Sequence, residues 1–357
     1  MGKSPVLAAI CAILLLSPRH IAWAITYGVT DLGMPAGDTQ SYAMGINNSG
    51  KVVGYSYNGS RTQPWCWTRE SGLQVMPVPS GAKSTYVSRI SDSGLITGWS
   101  LCPSSKYCIW GSSDLRALGP TLSDLKDINE SGDAVGYASN QAAFVAQDGT
   151  ITTLGDGHAL AINDSDEVVG YSGSSGTYYA FYWSRSTGRV ELGSGQGSDI
   201  NNSGQIALWA GGKAWISDRK GKKTLLPILP GYTNSTANAI NNKGQVVGSL
   251  YGLAVLWDLN GSAVQLPNIA GYGRTYAYDI NENGWIAGTA YDASGNVHAV
   301  LWQPVPEPSV AVTLVCGLLA ACGNLTWKRA GAFVEQRSRR IKIFLVTSTA
   351  FSRSHQQ

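Results

Sequence analysis

The chain repeats itself, and the period limits what it can fold into. The string Ile46-Asn47-Asn48-Ser49-Gly50-Lys51-Val52-Val53-Gly54-Tyr55 returns in recognisable form at Ile90, Ile128, Ile162, Ile200, Ile240 and Ile280. The intervals are 44, 38, 34, 38, 40 and 40 residues, so seven units of about 39 fill residues 25–304. A period of this size is the mark of like units set side by side, in a ring or a stack.

Each unit has the same physical logic. After the Ile comes Asn47, Ser91, Asn129, Asn163, Asn201, Asn241 or Asn281, and three residues later Gly, or Asp166 in the fourth unit. These are the first and fourth positions of a type I turn, where an Asx or Ser side chain caps the backbone and the last residue tends toward positive φ. Apolar residues flank the turn, so it predicts a hairpin. Eight residues past the Ile lies Gly54, Gly98, Gly136, Gly170, Gly248 or Gly288, with Leu208 as the exception. Glycine inside a strand marks close approach of another backbone, as where neighbouring sheets pack tightly. A further strand ending in an aromatic follows, as in Trp65-Cys66-Trp67 or Ala254-Val255-Leu256-Trp257. A last strand ends in Leu-Gly or Leu-Pro, as in Leu154-Gly155 and Leu266-Pro267.

Composition agrees with a turn-rich β protein. There are 43 Gly and 14 Pro, 14% of residues are charged, and 12 Trp and 17 Tyr stand against 5 Phe. Trp and Tyr suit half-buried strands because they fill a pleated surface while keeping one polar atom wet. So apolar a chain with so little charge is neither a disordered polymer nor a coiled coil. The expected fold is an all-β repeat protein, a seven-bladed β-propeller. A β-solenoid is the alternative, since no strand visibly crosses from the last unit to the first to lock a ring. The unit resembles the HAF-repeat family of bacterial extracellular proteins, through His298-Ala299-Val300-Leu301-Trp302, Ala143-Phe144, Ala180-Phe181, the Leu-Gly strand and the Ile-Asn-x-x-Gly-x-Val-Val-Gly hairpin. The resemblance implies location and architecture, and no activity.

The two ends differ from the body. Lys3, an apolar run from Val6 to Leu16, Pro18 and then Ala22-Trp23-Ala24 have the order of a secretory signal peptide over residues 1–24, with cleavage after Ala24 set by the small residues Ala22 and Ala24. Near the other end, Pro306-Glu307-Pro308 precedes an uncharged stretch at 310–327 and the basic pair Lys328-Arg329. Eighteen helical residues reach about 27 Å, enough for transient membrane insertion. Residues 305–329 resemble the PEP-CTERM sorting signal of Gram-negative bacteria. That resemblance implies removal by an exosortase-type membrane protease, in organisms that make an exopolysaccharide matrix. A basic tail follows at 330–357, longer than such signals carry.

The net charge of +3 belongs to these ends. Residues 25–327 hold 17 basic and 22 acidic side chains, so the body is mildly acidic and lacks the basic stripe of a nucleic-acid binder.

Chemistry is sparse in the body. Cys102 and Cys108 flank a short loop and, in an exported hairpin, are expected to form a disulfide, while Cys66 reads as core. No Cys or His cluster suggests zinc, no phosphate loop or nucleophile elbow occurs, and no cofactor is implied. His158 and His298 read as packing or loop residues. Asp164-Ser165-Asp166-Glu167 is the densest acidic cluster; Asp164, Asp166 and Glu167 could ligate Ca²⁺, but a solvated turn is the simpler reading. Lys220, Lys222 and Lys223 read as a solvated loop.

The expectation is an exported cell-surface or matrix protein, non-enzymatic, binding an extracellular polysaccharide or surface protein through loops between strands. Tyr55, Tyr57, Tyr171, Tyr178 and Tyr179 are suited to stacking on sugar rings. The alternative is a polysaccharide-active hydrolase or lyase on the same scaffold, which needs two carboxylates converging on one mouth.

Overall fold

The computed structural model describes residues 26–305, without 103–105, 112–114, 119–121, 175 and 259–260. The signal segment with Ala22 and Ala24, the motif Pro306-Glu307-Pro308, the stretch 310–327, Lys328-Arg329 and the tail lie outside the described residues. Among the described residues, no helix is long and apolar enough to cross a membrane.

Among the described residues, twenty-eight strands, β1–β28, form seven four-stranded antiparallel sheets, one per repeat. They are the blades of a seven-bladed β-propeller. In blades one to six the innermost strand comes first: β2 (Gln40–Ile46), β6 (Ser84–Ile90), β10 (Leu122–Ile128), β14 (His158–Ile162), β18 (Gln196–Ile200) and β22 (Thr236–Ile240). Blade seven begins with β26 (Tyr272–Ile280) and β27 (Ile286–Asp292), then β28 (Val297–Pro304). Its fourth strand is β1 (Tyr27–Gly33), which pairs antiparallel with β28 from Tyr27 opposite Pro304 to Gly33 opposite Ala299. The first strand of the chain therefore completes the last blade and locks the ring, which overturns the solenoid. The Leu-Gly strand that precedes the first hairpin is that lock.

The hairpin turns form as their residues dictate. Asn47 N–H donates to Lys51 O at 3.1 Å and Gly50 N–H to Asn47 O at 2.9 Å. Gly50 has φ +81° and its equivalent Asp166 has φ +57°.

The glycine eight residues past each Ile has a different cause from the one the sequence suggests. A Cβ at Gly98 would lie 2.0 Å from Tyr86 O, and one at Gly136 2.1 Å from Asp124 O. The approaching backbone is the inner strand of the same sheet, not a neighbouring sheet. Blade five shows why Leu208 is tolerated: its cross-strand partner is Gly197, where the other blades place Ala, Val or Leu. The glycine has crossed the pair.

The apolar core lies between blades, in seven clusters. Blades six and seven bury Val247, Leu256 and Leu266 against Ala277, Ile286 and Trp302. Side chains of this size gain roughly 1.5–3 kcal/mol each on full burial. Each unit thus buries its apolar faces against its neighbours. The aromatic that ends the third strand also reaches across: Trp110, Trp257 and Trp302 donate Nε1–H to Pro77, Pro227 and Pro267 carbonyls of the preceding unit, at 2.7–2.8 Å.

Candidate functional site

The ring has two mouths and a channel between them, and the two mouths are built from different residues.

At the mouth formed by the hairpin turns, polar groups join blade to blade. The repeat Asn uses both ends of its amide. Its Oδ1 caps its own turn, as Asn281 does for Asn283 N–H and Trp285 N–H at 3.0 and 2.9 Å. Its Nδ2 donates to the next unit's carbonyl. Asn129 reaches Asn163 O, Asn163 reaches Asn201 O, Asn201 reaches Asn241 O, Asn241 reaches Asn281 O, and Asn281 closes the circle on Asn47 O. Asn47 reaches Ser91 O, but Ser91 carries no amide to pass the belt on.

A second belt runs one residue further along. Asn48, Asp92, Glu130, Asp164, Asn202, Asn242 and Glu282 each carry a side-chain acceptor for the preceding unit's amide. Asn48 N–H donates to Asp92 Oδ1, Asp92 N–H to Glu130, and Glu130 N–H to Asp164 Oδ1. Asp164, Asn202, Asn242 and Glu282 continue the pattern onto Asn202, Asn242, Glu282 and Asn48. All seven junctions are bonded. The signal in the sequence was an acceptor side chain at one fixed offset, of three different residue types.

A third set lies deeper. The residue before the repeat Ile is turned inward by a bulge, as between Leu125 and Asp127 or Gly197 and Asp199. Asp127 bridges Ile128 and Ile162 N–H, Asp199 bridges Ile200 and Ile240, and Asp279 bridges Ile280 and Ile46, all at 2.8–3.0 Å. Arg89 holds the matching position in blade two. Its Nη1 lies 2.9 Å from Asp279 Oδ1 and donates to Tyr278 O at 3.2 Å.

Burial pushes all three carboxyls up, against the pull of Arg89 and of the amides. Asp127 is raised to about 6 and Asp199 to about 7, and Asp279 is raised as well. Burial alone would lower the Arg89 pKa, but the three carboxylates raise it. The cavity on this side measures only about 150 Å³, and Arg89 separates it from the funnel on the other side. Carboxylates do converge here, but each is engaged in clasping a neighbouring blade.

The opposite mouth is aromatic. Two positions face it: four residues before each Ile and nine after, paired across the first two strands of a blade. Tyr42 stacks on Tyr55 with centroids 4.9 Å apart, Tyr55 meets Tyr86 of the next blade edge-on at 5.1 Å, and Tyr86 stacks on Trp99 at 4.7 Å. A second run joins Tyr137, His158, Tyr171 and Tyr178 at 4.1, 5.3 and 5.1 Å. All eight rings are half-buried. Three rings of the first run, Tyr55, Tyr86 and Trp99, line a funnel of about 460 Å³ whose wall also includes Tyr278, Asp124 and Lys126. Asp124 and Lys126 pair at 2.6 Å.

The residues singled out in the sequence are dispersed. Asp164 joins the second belt, Asp166 pairs with Arg185 at 3.2 Å, and Glu167 is buried under a bidentate contact with Arg219 at 2.6 and 2.7 Å. Burial would raise the Glu167 pKa, but hydrogen bonds from Arg219, Asn163 and Tyr182 hold it below its ordinary value. Among the described residues, no group of three or more His, Cys, Asp and Glu side chains is set to hold a metal ion.

His158 is part of the aromatic run, and burial lowers its pKa. His298 lies 3.0 Å from Asp31 Oδ2 and so pins the closing strand β1 to β28. Tyr55, Tyr171 and Tyr178 belong to the aromatic mouth, Tyr57 bonds Gly59 O, and Tyr179 is exposed. Cys102 and Cys108 are both buried in blade two, while Cys66 is half-buried. Lys220 and Lys222 sit in a turn whose amides donate to Asp218, and Lys223 Nζ donates to Ser194 O.

No family model matches the chain, and no curated protein sequence does. Solved structures match the ring. A catalytically inactive histidine-to-alanine variant of virginiamycin B lyase from Staphylococcus aureus, with quinupristin, superposes with TM-score 0.57 at 13% identity, covering 78% of this chain and 100% of that one. A streptogramin B lyase gives 0.56 at 12%, covering 78% and 98%. YCF48 bound to a D1 peptide gives 0.53 at 14%, covering 80% and 100%. At such identities the likeness is one of fold: the chain is a seven-bladed β-propeller.

Proposed function

We propose that this propeller is a non-enzymatic binding module of the cell surface or extracellular matrix, and that its ligand is a glycan held at the aromatic mouth. The observation that carries the reading is the aromatic run Tyr42–Tyr55–Tyr86–Trp99, three of whose rings line a funnel of about 460 Å³, with a second run, Tyr137–His158–Tyr171–Tyr178, on the following blades. Rings with an apolar face and a polar edge suit a sugar, which is itself apolar on its faces and hydroxylated at its rim.

The hydrolase or lyase reading has less support. Asp124 is the funnel-wall carboxylate, and it is tied to Lys126. The other mouth has carboxylates enough, but little room and no carboxylate free of a structural bond. The peptide bound by YCF48 is a property of that protein; a protein ligand here remains the second outcome of the same test.

Export follows from the ends of the sequence. Cleavage after Ala24 would free the ring-closing strand. An exosortase-type protease acting at the Pro306-Glu307-Pro308 segment would then release or attach the propeller, once residues 310–327 had entered the membrane.

Two experiments test this. The purified chain is expected to be retained on a polysaccharide array; turnover of a retained polymer would contradict a non-enzymatic role. The mass of the protein isolated from the envelope is expected to lack residues 1–24 and everything beyond the Pro306-Glu307-Pro308 segment, and a terminus that keeps Lys328-Arg329 would contradict the sorting.

A further inference from the structure

The rim of the aromatic mouth is uneven. The second strand of blade four, β15 (Val168–Ser174), and β27 of blade seven are seven residues long, whereas β19 of blade five (Ile206–Ala210) has five and β23 of blade six (Val246–Ser249) four. At about 3.3 Å per residue the rim drops by roughly 7–10 Å there. Blades five and six end in two-residue turns, Gly211-Gly212 and Tyr251-Gly252, whose four φ angles are +57°, +76°, +48° and +85°. Between them lies a notch of about 410 Å³ lined by Trp209, Thr236, Ser249, Tyr251, Arg274 and Tyr276.

Two features of the notch are unexplained by the fold. Tyr251 is 86% exposed and sits in the left-handed region, which favours Gly or Asn and costs a bulky side chain of order 1 kcal/mol. Arg274 is exposed, and among the described residues no carboxylate pairs with it. Its stem packs over Gly252, where a Cβ would stand 3.3 Å from Arg274 Cγ, and Arg274 and Tyr251 line the same notch. The Thr236 and Ser249 hydroxyls, 3.0 Å apart, add hydrogen-bonding capacity on the same wall.

We infer that the notch is a subsite for an acidic sugar, a uronate ring stacked on Tyr251 with its carboxylate on the Arg274 guanidinium. A fork of N–H donors beside an aromatic face matches a planar carboxylate on a flat ring, and the charge-assisted bond selects the acid over its ester. This assignment rests on the glycan reading above and gives it a substrate class.

The test measures binding of the purified chain to polygalacturonate, alginate and hyaluronan, and to methyl-esterified pectin and dextran as neutral polymers, at low and high salt. A preference of roughly tenfold or more for the acids, falling with salt, is expected. Arg274→Met is expected to erase that preference while neutral binding persists. Tyr251→Asn is expected to weaken binding while the melting temperature holds or rises, since Asn accepts the turn more readily. A variant that merely misfolded would lower both. Equal binding of acid and ester, or a preference that survives Arg274→Met, overturns the uronate site and leaves the glycan reading standing. Binding of none of the five polymers overturns both.

Discussion

The two mouths of this ring use their residues in opposite ways. At the turn mouth the same offsets carry the same chemistry in almost every unit, an Asn beside the Ile and an acceptor one residue on, and in three of the seven units a carboxylate stands one residue back. The polar side chains named there bond their own turn or strand on one side and another blade on the other. At the aromatic mouth the corresponding offsets change from blade to blade, from Tyr42 and Tyr86 to Asp124, His158, Gln196, Thr236 and Tyr276. What repeats builds the ring, and what does not repeat is available to a ligand. Substitutions at the two mouths should therefore separate stability from binding.

The largest effect is expected from Arg89→Met. It would leave Asp127, Asp199 and Asp279 facing one another without a cation, at a cost of about 3–5 kcal/mol at pH 8, toward the lower end because the channel admits some water. The loss should be clearly smaller at pH 5. Asp127 and Asp199, raised to about 6 and about 7, bind more protons folded than unfolded between about pH 4 and pH 7. Their contribution to stability is therefore greatest in acid and falls as pH rises through their folded values. Glu167, held low, acts in the opposite sense, its contribution being lost as pH falls through its depressed pKa. Chemical denaturation of the wild type and the variant at pH 5 and pH 8 measures the difference. An equal loss at both pH values would mean that Arg89 serves only as packing.

A smaller effect is expected in the Asn belt. Asn281→Ala removes two turn caps and one bond between blades, about 2 kcal/mol in all. The break at Ser91 offers the converse. Ser91→Asn would supply a donor toward Asn129 O and is expected to stabilise by roughly 0.5–1 kcal/mol. Melting curves of the two variants decide whether the belt holds blade to blade. A neutral Asn281→Ala would show that it does not.

Much of this was legible in the chain, for local reasons. The hairpin turns are encoded within five residues, so their positions, the seven units and the β class follow directly from the spacing of Ile, Asn and Gly. Ring closure was not, because β1 and β28 stand at opposite ends of the chain and nothing local in Val29-Thr30-Asp31-Leu32-Gly33 distinguishes it from the other outer strands. The strand glycines were located but misread, since a carbonyl of the same sheet, such as Tyr86 O behind Gly98, looks in sequence like any close backbone. The aromatic mouth was half-seen. Tyr55, Tyr171 and Tyr178 stood out, whereas Tyr42, Tyr86, Trp99 and Tyr137 emerge only when offsets from the Ile are compared across units. Arg89 gave no signal by itself; its meaning depends on three Asp residues in other blades.

The division between a structural mouth and a binding mouth is tested most directly by Tyr86→Ala with Trp99→Ala, read out as polysaccharide affinity and melting temperature on the same sample. The account predicts that retention on the polysaccharides bound by the wild type weakens about tenfold or more, with little change in melting temperature beside Asn281→Ala. Undiminished affinity with a large loss of stability would contradict it, and would make the aromatic mouth as much a part of the scaffold as the turn mouth.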